Sequence, residues 1–421
     1  MRYSNPMNNR HFLLVARCVL GLVLVLVYLV TMAASQDAKP HWVATWGTSV
    51  VSSEHPATFS NQTIRNIVHV ALGGSEVRIR LSNTFGPRAV KMDAVYVGFQ
   101  KEGAALVAGS NRAVTFGGSR TITIPEGAEV MSDPVALPVE AEQNLAISLF
   151  MSSETGPATV HSSALQTNYV SDAGNFVASE SASNFSKTVE SWYFLSAVDV
   201  LAPAQVKGVV VALGDSITDG ASSRPDKNER WTDVLARRLR ENKIPVTVVN
   251  AGIGGNRVLT SSPCWGVNAL ARLGRDVLAQ TGIEAVILFE GTNDIGQPDT
   301  PAGNMGACLS RTPVSAEDII AGYKQIIART HARGLKIYGS TILPYQGYAA
   351  WNPQGEAKRI AVNQWIRTSG AFDGVADFDA ALRDPANPAR IAAQFDGGDH
   401  LHPGTAGHEA MGKACELGWF R

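Results

Sequence analysis

From about Lys39 to about Ala202 the apolar positions come in short runs cut by turn residues. Ile67-Val68-His69-Val70-Ala71, Val77-Arg78-Ile79-Arg80-Leu81, Ala94-Val95-Tyr96-Val97-Gly98, Thr121-Ile122-Thr123-Ile124 and Leu145-Ala146-Ile147-Ser148-Leu149-Phe150 read as strands. The second alternates apolar residues with arginine, the pattern of a strand with one face in water. Gly73-Gly74, Asn83-Thr84-Phe85-Gly86-Pro87, Gly117-Gly118 and Pro125-Glu126-Gly127 supply the turns between such runs. No long helical period interrupts them. Many short strands at this spacing predict an all-β sandwich, jelly-roll-like in plan.

From about Val206 the period changes. Val209-Val210-Val211-Ala212-Leu213 is a continuous β-branched run, the signature of a parallel strand buried on both faces. Trp231, Val234, Leu235 and Leu239 then mark one face of a helix. Val246–Val249 and Val286–Phe289 are the next strands. Ser315 with Asp318 resembles a capping box opening a helix whose apolar face is Ile319, Ile320, Tyr323, Ile326, Ile327 and Thr330. Lys336–Thr341 and Val375–Phe378 follow as strands. Strands alternating with helices imply a doubly wound, mostly parallel sheet. The division is a β-sandwich domain over 36–204 and an α/β domain over 205–421, with no low-complexity linker, so the two should pack directly.

The first 35 residues are set apart. Arg2, Arg10, His11 and Arg17 precede the apolar stretch from Cys18 to Met32, and Ala33-Ala34-Ser35 follows. Charged, apolar and small residues in that order describe a secretory signal cut after Ala34 or Ser35; the alternative is a retained membrane anchor. The mature chain then holds Cys264, Cys308 and Cys415. Export into an oxidising compartment allows one bridge. Cys264 and Cys308, both in Pro/Gly-rich loops, are the favoured pair, with Cys415 a buried thiol; three pairings are open in principle. The 421 residues are 17% charged, with a formal net charge of -1. That balance gives no electrostatic reason to expect nucleic acid or an acidic membrane surface as partner.

The chemistry lies at strand ends. Gly214-Asp215-Ser216-Ile217-Thr218-Asp219-Gly220 follows the first strand of the second half, and Asn250-Ala251-Gly252-Ile253-Gly254-Gly255-Asn256 the next. Glu290-Gly291-Thr292-Asn293-Asp294 follows the third, and Asp399-His400-Leu401-His402 comes last. A parallel sheet brings such ends to one crevice. A serine hydroxyl is a weak nucleophile until a base takes its proton, and imidazole is the side chain suited to that near neutral pH. Asp399, three residues before His402, can fix the ring tautomer. Asp215 and Asp219 read as turn organisers bonding backbone N–H groups, and Arg230 as a tie on the same loop. Each residue also has a plainer use: Ser216 in a turn, Asn293 as a helix cap, and Asp396, Asp399, His400 and His402 as metal ligands. No matching ligand cluster occurs elsewhere, and His400 and His408 read as structural or solvent-facing.

In this order the four segments resemble the four sequence blocks of the SGNH (GDSL) hydrolase superfamily, over roughly residues 205–421. The resemblance implies a flavodoxin-like three-layer α/β/α domain and an ester hydrolase with no cofactor. It makes Ser216 the nucleophile, His402 the base and Asp399 its partner. The oxyanion would be held by the backbone N–H of Ser216, that of Gly255 (with Gly254 the competing choice) and the side chain of Asn293. The first block has Ile217 where the name-giving motif has leucine, and Asp399-His400 replaces the common Asp-Gly step.

Trp265 and Trp351 are the aromatic candidates for lining the crevice. The substrate expected is a small-molecule or polysaccharide ester, with acetyl groups on carbohydrate first. A lipase or arylesterase is the alternative, and an inactive carbohydrate-binding surface protein the alternative of another class. Nothing in the sequence specifies an oligomeric state.

Overall fold

The computed structural model describes residues 39–53, 56–301, 303, 306 and 308–421. The amino-terminal segment with its signal or anchor reading lies outside them. Among the described residues no helix is long and apolar enough to cross a membrane.

The β-branched run forms the strand Gly208–Gly214, an inner strand of a five-stranded sheet. Val246–Gly252 lies on one side of it and Ile283–Phe289 on the other, followed by Lys336–Ser340 and Gly374–Ala376. Every pairing in this sheet is parallel. Gly208–Gly214 is buried throughout because both faces are covered. Val209, Val211 and Leu213 join one apolar core with Ile319, Tyr323, Ile326, Val362 and Ile366 of the helices Ala316–His331 and Pro353–Thr368. Val210 and Ala212 join the other, with Trp231, Leu235 and Leu239 of Trp231–Glu241 and Met411 of Thr405–Ala414. Ser315 caps its helix in the reciprocal arrangement that the sequence predicts. One strand expectation fails at its end. Phe378 opens the helix Phe378–Leu382, because the Asp377 side chain accepts from the Ala380 N–H and turns the chain into a cap.

In the β-rich part, Asn144–Met151 pairs antiparallel with both Gln62–His69 and Ala94–Glu102. A second sheet runs His41–Gly47, Leu195–Ala202, Val77–Ser82, Glu129–Met131. Ile64, Val95 and Leu149 of the first sheet share one apolar core with Ile79, Leu81 and Val198 of the second. The arginine face of Val77–Ser82 is not wet. Arg80 is buried and donates to Thr281 of the α/β part at 3.2 Å. Arg78 pairs with Asp199 at 3.0 Å and lies over the Trp42 ring, while Thr281 donates to that same carboxylate. The alternation marks a polar contact with the other half of the chain, and Trp42–Ala202 with Val206–Arg421 forms one compact unit.

Candidate active site

Directly after Gly208–Gly214, Asp215 caps a single helical turn, Ser216–Asp219, by accepting the Ile217 N–H at 3.0 Å. Ser216 therefore occupies the first helical position, where the backbone N–H has no partner within the helix. Its Oγ lies 2.9 Å from His402 Nε2. On the other side of the ring, Nδ1 lies 2.6 Å from Asp399 Oδ2. The carboxylate can only accept, so Nδ1 carries hydrogen and Nε2 faces the hydroxyl as acceptor. Asp399 Oδ1 also accepts the N–H groups of Leu401 and His402, at 2.9 and 2.8 Å. Partial burial pushes the Asp399 carboxyl up, but these bonds and the His402 charge bring it well below its ordinary range. It is ionised wherever the ring can act as base.

The loop after Val246–Gly252 holds its two glycines differently. Gly254 donates its N–H to Asp219 Oδ2 at 3.1 Å. Gly255 has φ +75° and forms no hydrogen bond through its own N–H among the described residues, while its carbonyl accepts from Gln297 Nε2 at 2.6 Å. A Cβ there would strike the Trp265 ring, so glycine is needed both for the left-handed backbone and for the space. Asn293 stands inside the short helix Thr292–Gly296, whose cap is Gly291, so it does not serve as the cap. Its Nδ2 sits 3.4 Å from Asp215 Oδ2, too loosely held to be committed there.

Ser216, Gly254, Gly255, Asn293, Asp399 and His402 all line one cleft of about 280 Å³. Trp265, Leu309, Tyr345 and Tyr348 give it apolar surface; Thr292, Gln297 and Thr300 give it polar groups. The Cys264–Cys308 disulfide joins the two loops that contribute Trp265 and Leu309. Cys415 is a buried thiol, pushed up to about 12 by burial. Trp351 does not line the cleft: it packs against the apolar core with its indole N–H buried. The ligand-type residues near His402 are taken up in pairs, with the His400 ring 2.6 Å from Asp396. Among the described residues no group of three His, Cys, Asp or Glu is arranged to hold a metal ion. His408 is buried, which pushes it down to about 4, and its Nε2–H donates to the Ala221 carbonyl at 3.0 Å, steadying the loop behind Ser216.

Beneath the cleft lies a charged layer absent from the sequence reading. Arg272, fully buried, donates to the Gly214 carbonyl at 2.8 Å and the Ala251 carbonyl at 2.6 Å, tying together the ends of two strands. It also reaches Glu290 at 3.1 Å, and Arg257 lies 3.6 Å from Asp294. The carboxyls of Asp215, Glu290 and Asp294 share this layer with the Arg272 and Arg257 guanidinium groups, and Asp276 pairs with Arg272 at its edge. Burial pushes Asp215 up to about 7 and Asp294 up to about 6, and Glu290 rises by burial and by the charge of Asp215. A carboxyl raised in the folded state stabilises fully below its ordinary range and loses that contribution as pH rises through the folded value. Thermal scans are therefore expected to show Tm falling between about pH 4 and pH 7, and Asp294→Asn to reduce the fall. A fall of the same size in that variant would assign the pH dependence elsewhere.

On an α/β fold this geometry sets a serine, a histidine and an aspartate in the order a serine hydrolase uses. Residues 212–410 match the model of the GDSL-like lipase/acylhydrolase family. This stretch is a GDSL-like lipase/acylhydrolase domain, and the protein is an ester hydrolase. A comparison with curated proteins finds no match. Solved structures similar to this chain include a lipase/acylhydrolase from Enterococcus faecalis, at 21% identity, 49% of this chain and 92% of that one, with a TM-score of 0.37. A GDSL-like lipase from Bacteroides thetaiotaomicron has 17% identity, 49% and 84% coverage and a TM-score of 0.34. An acetyl xylan esterase has 18% identity, 49% and 96% coverage and a TM-score of 0.35. The family assignment rests on the sequence match.

Proposed function

We propose that the chain is an exported esterase that removes acetyl or other small acyl groups from carbohydrate, through an acyl-enzyme on Ser216. The observation that carries this is the unbroken chain Asp399–His402–Ser216, with spacings of 2.6 and 2.9 Å, in the cleft wall. His402 takes the Ser216 proton as Oγ attacks the ester carbonyl carbon, and later gives it to the departing alcohol. Water then attacks the acyl-enzyme carbonyl, passing a proton to His402; the bond to Ser216 Oγ breaks, His402 returns the proton to that oxygen, and the free acid leaves. The N–H groups of Ser216 and Gly255 and the Asn293 amide receive the oxyanion.

The carbohydrate reading is supported by the cleft lining: Trp265, Tyr345 and Tyr348 offer aromatic faces, and Thr292, Gln297 and Thr300 offer hydroxyl-bonding groups beside them. Export is supported by the order of residues before Ser35 and by the Cys264–Cys308 bridge. The 36–204 domain is taken as a jelly-roll-like sandwich, and 205–421 as the hydrolase domain. Acetate release from acetylated xylan or pectin should far exceed hydrolysis of p-nitrophenyl palmitate. Preference for the long-chain ester would make the protein a lipase instead, and no turnover of any ester would leave a binding role.

A further inference from the structure

The β-rich part reaches the catalytic turn through one buried side chain. His161 ends the two-residue strand Val160–His161, which pairs with Trp192–Tyr193. Its Nε2 lies 2.9 Å from Asp219 Oδ1, and its Nδ1 lies 2.8 Å from the Ser49 carbonyl. Asp219 is the last residue of the turn that begins with Ser216. A carbonyl and a carboxylate both accept, so both ring nitrogens must carry hydrogen and the ring is an imidazolium. It is 3% exposed and stacks at a tilt beside Trp192. Burial works against the charge, but the Asp219 charge and the hydrogen bonds raise the ring above its ordinary value.

The other oxygen of Asp219 holds the Gly254 N–H. The Gly255 carbonyl is held by Gln297. The peptide that presents the Gly255 N–H to the cleft is thus clamped on both sides, and one clamp depends on His161. Arg230 reinforces the arrangement, donating to the Asp219 carbonyl at 2.8 Å and to the Ala164 carbonyl of the β-rich part at 2.5 Å.

We propose that His161 is a positioning residue for ester hydrolysis: by fixing Asp219 it withdraws Gly254 from the oxyanion and aims Gly255 at it, which makes the β-rich part a component of the active site. This rests on the reading of Ser216 as nucleophile and Gly255 as oxyanion donor. An oxyanion donor acts in the transition state more than in the bound ester, so its misplacement is felt in kcat rather than KM. The charged groups facing His161 are Asp219, from the catalytic turn, and Arg230, from the loop before Trp231. As pH rises the imidazolium loses its proton: the remaining N–H stays on the Asp219 carboxylate, the bond to the Ser49 carbonyl and the charge pairing with Asp219 are lost, the ring is held less firmly, and kcat declines on the alkaline side.

The test uses the full chain with p-nitrophenyl acetate. His161→Phe keeps an aromatic ring beside Trp192 but has no donor; it is expected to lower kcat about tenfold to a hundredfold, with KM within about twofold. His161→Gln keeps a donor toward Asp219 and is expected to recover most of the loss, with no alkaline decline. A folded Phe variant within about threefold of native kcat, or one whose loss lies in KM, overturns the proposal. If the Phe variant does not fold, the Gln variant decides: a flat alkaline kcat supports the proposal, and an unchanged decline overturns it. A native chain inert toward the ester, or a Ser216→Ala variant as active as native, removes the underlying reading and this proposal with it.

Discussion

Ser216→Ala is expected to lower kcat about a million-fold, leaving KM and Tm near their native values. The reason is chemical, since among the described residues Ser216 Oγ, at 2.9 Å, is the hydroxyl that His402 Nε2 bonds. Without that oxygen no acyl-enzyme can form. Ser216 is half-buried, and the substitution removes one oxygen while keeping the helical position and the Asp215 cap. Stability is therefore a good control. A variant that retains about a tenth of the native rate would place the nucleophile elsewhere.

Asp399→Asn is expected to cost about a thousandfold to ten-thousandfold in kcat. The carboxylate makes Nδ1 the protonated nitrogen, and an amide whose NH2 faces the ring imposes the opposite tautomer. His402 then presents Nε2–H to Ser216 and cannot take its proton. The lower end of that range is favoured here because the Asp399 side chain is 43% exposed. Water can supply part of what the carboxylate supplies, which a fully buried partner would not allow. The backbone bonds to Leu401 and His402 can survive in the variant through the remaining oxygen, so the loss should appear in kcat without a collapse of the loop. Steady-state kinetics against the native chain measure it directly, and a loss under about tenfold would mean that the ring orients without Asp399.

The parallel sheet was legible because a strand buried on both faces must be continuously apolar, and Val209–Leu213 is. The four strand ends were legible because they carry chemistry where packing needs none, and they meet in one cleft. The different engagement of Gly254 and Gly255 was not, because it turns on one hydrogen bond to Asp219 across 35 residues. His161, 58 residues from Asp219, belongs to no local pattern, and neither does Arg272 beneath the cleft. Their roles depend on which distant groups a buried charge meets. Arg78 and Arg80 misled for the same reason: alternation reports that a face is polar, not that water covers it. Trp351 misled because an indole in a Pro/Gly-rich loop looks the same in sequence whether it faces a ligand or the core.

The central claim is that Ser216 is made nucleophilic by His402 and becomes acylated. Intact-mass analysis after treatment with a fluorophosphonate tests it most directly, because such a reagent phosphonylates an activated serine and releases fluoride. One adduct per chain is expected, located on the peptide bearing Ser216, and lost in both Ser216→Ala and His402→Ala. An unmodified native chain, or an adduct that persists in Ser216→Ala, would contradict it.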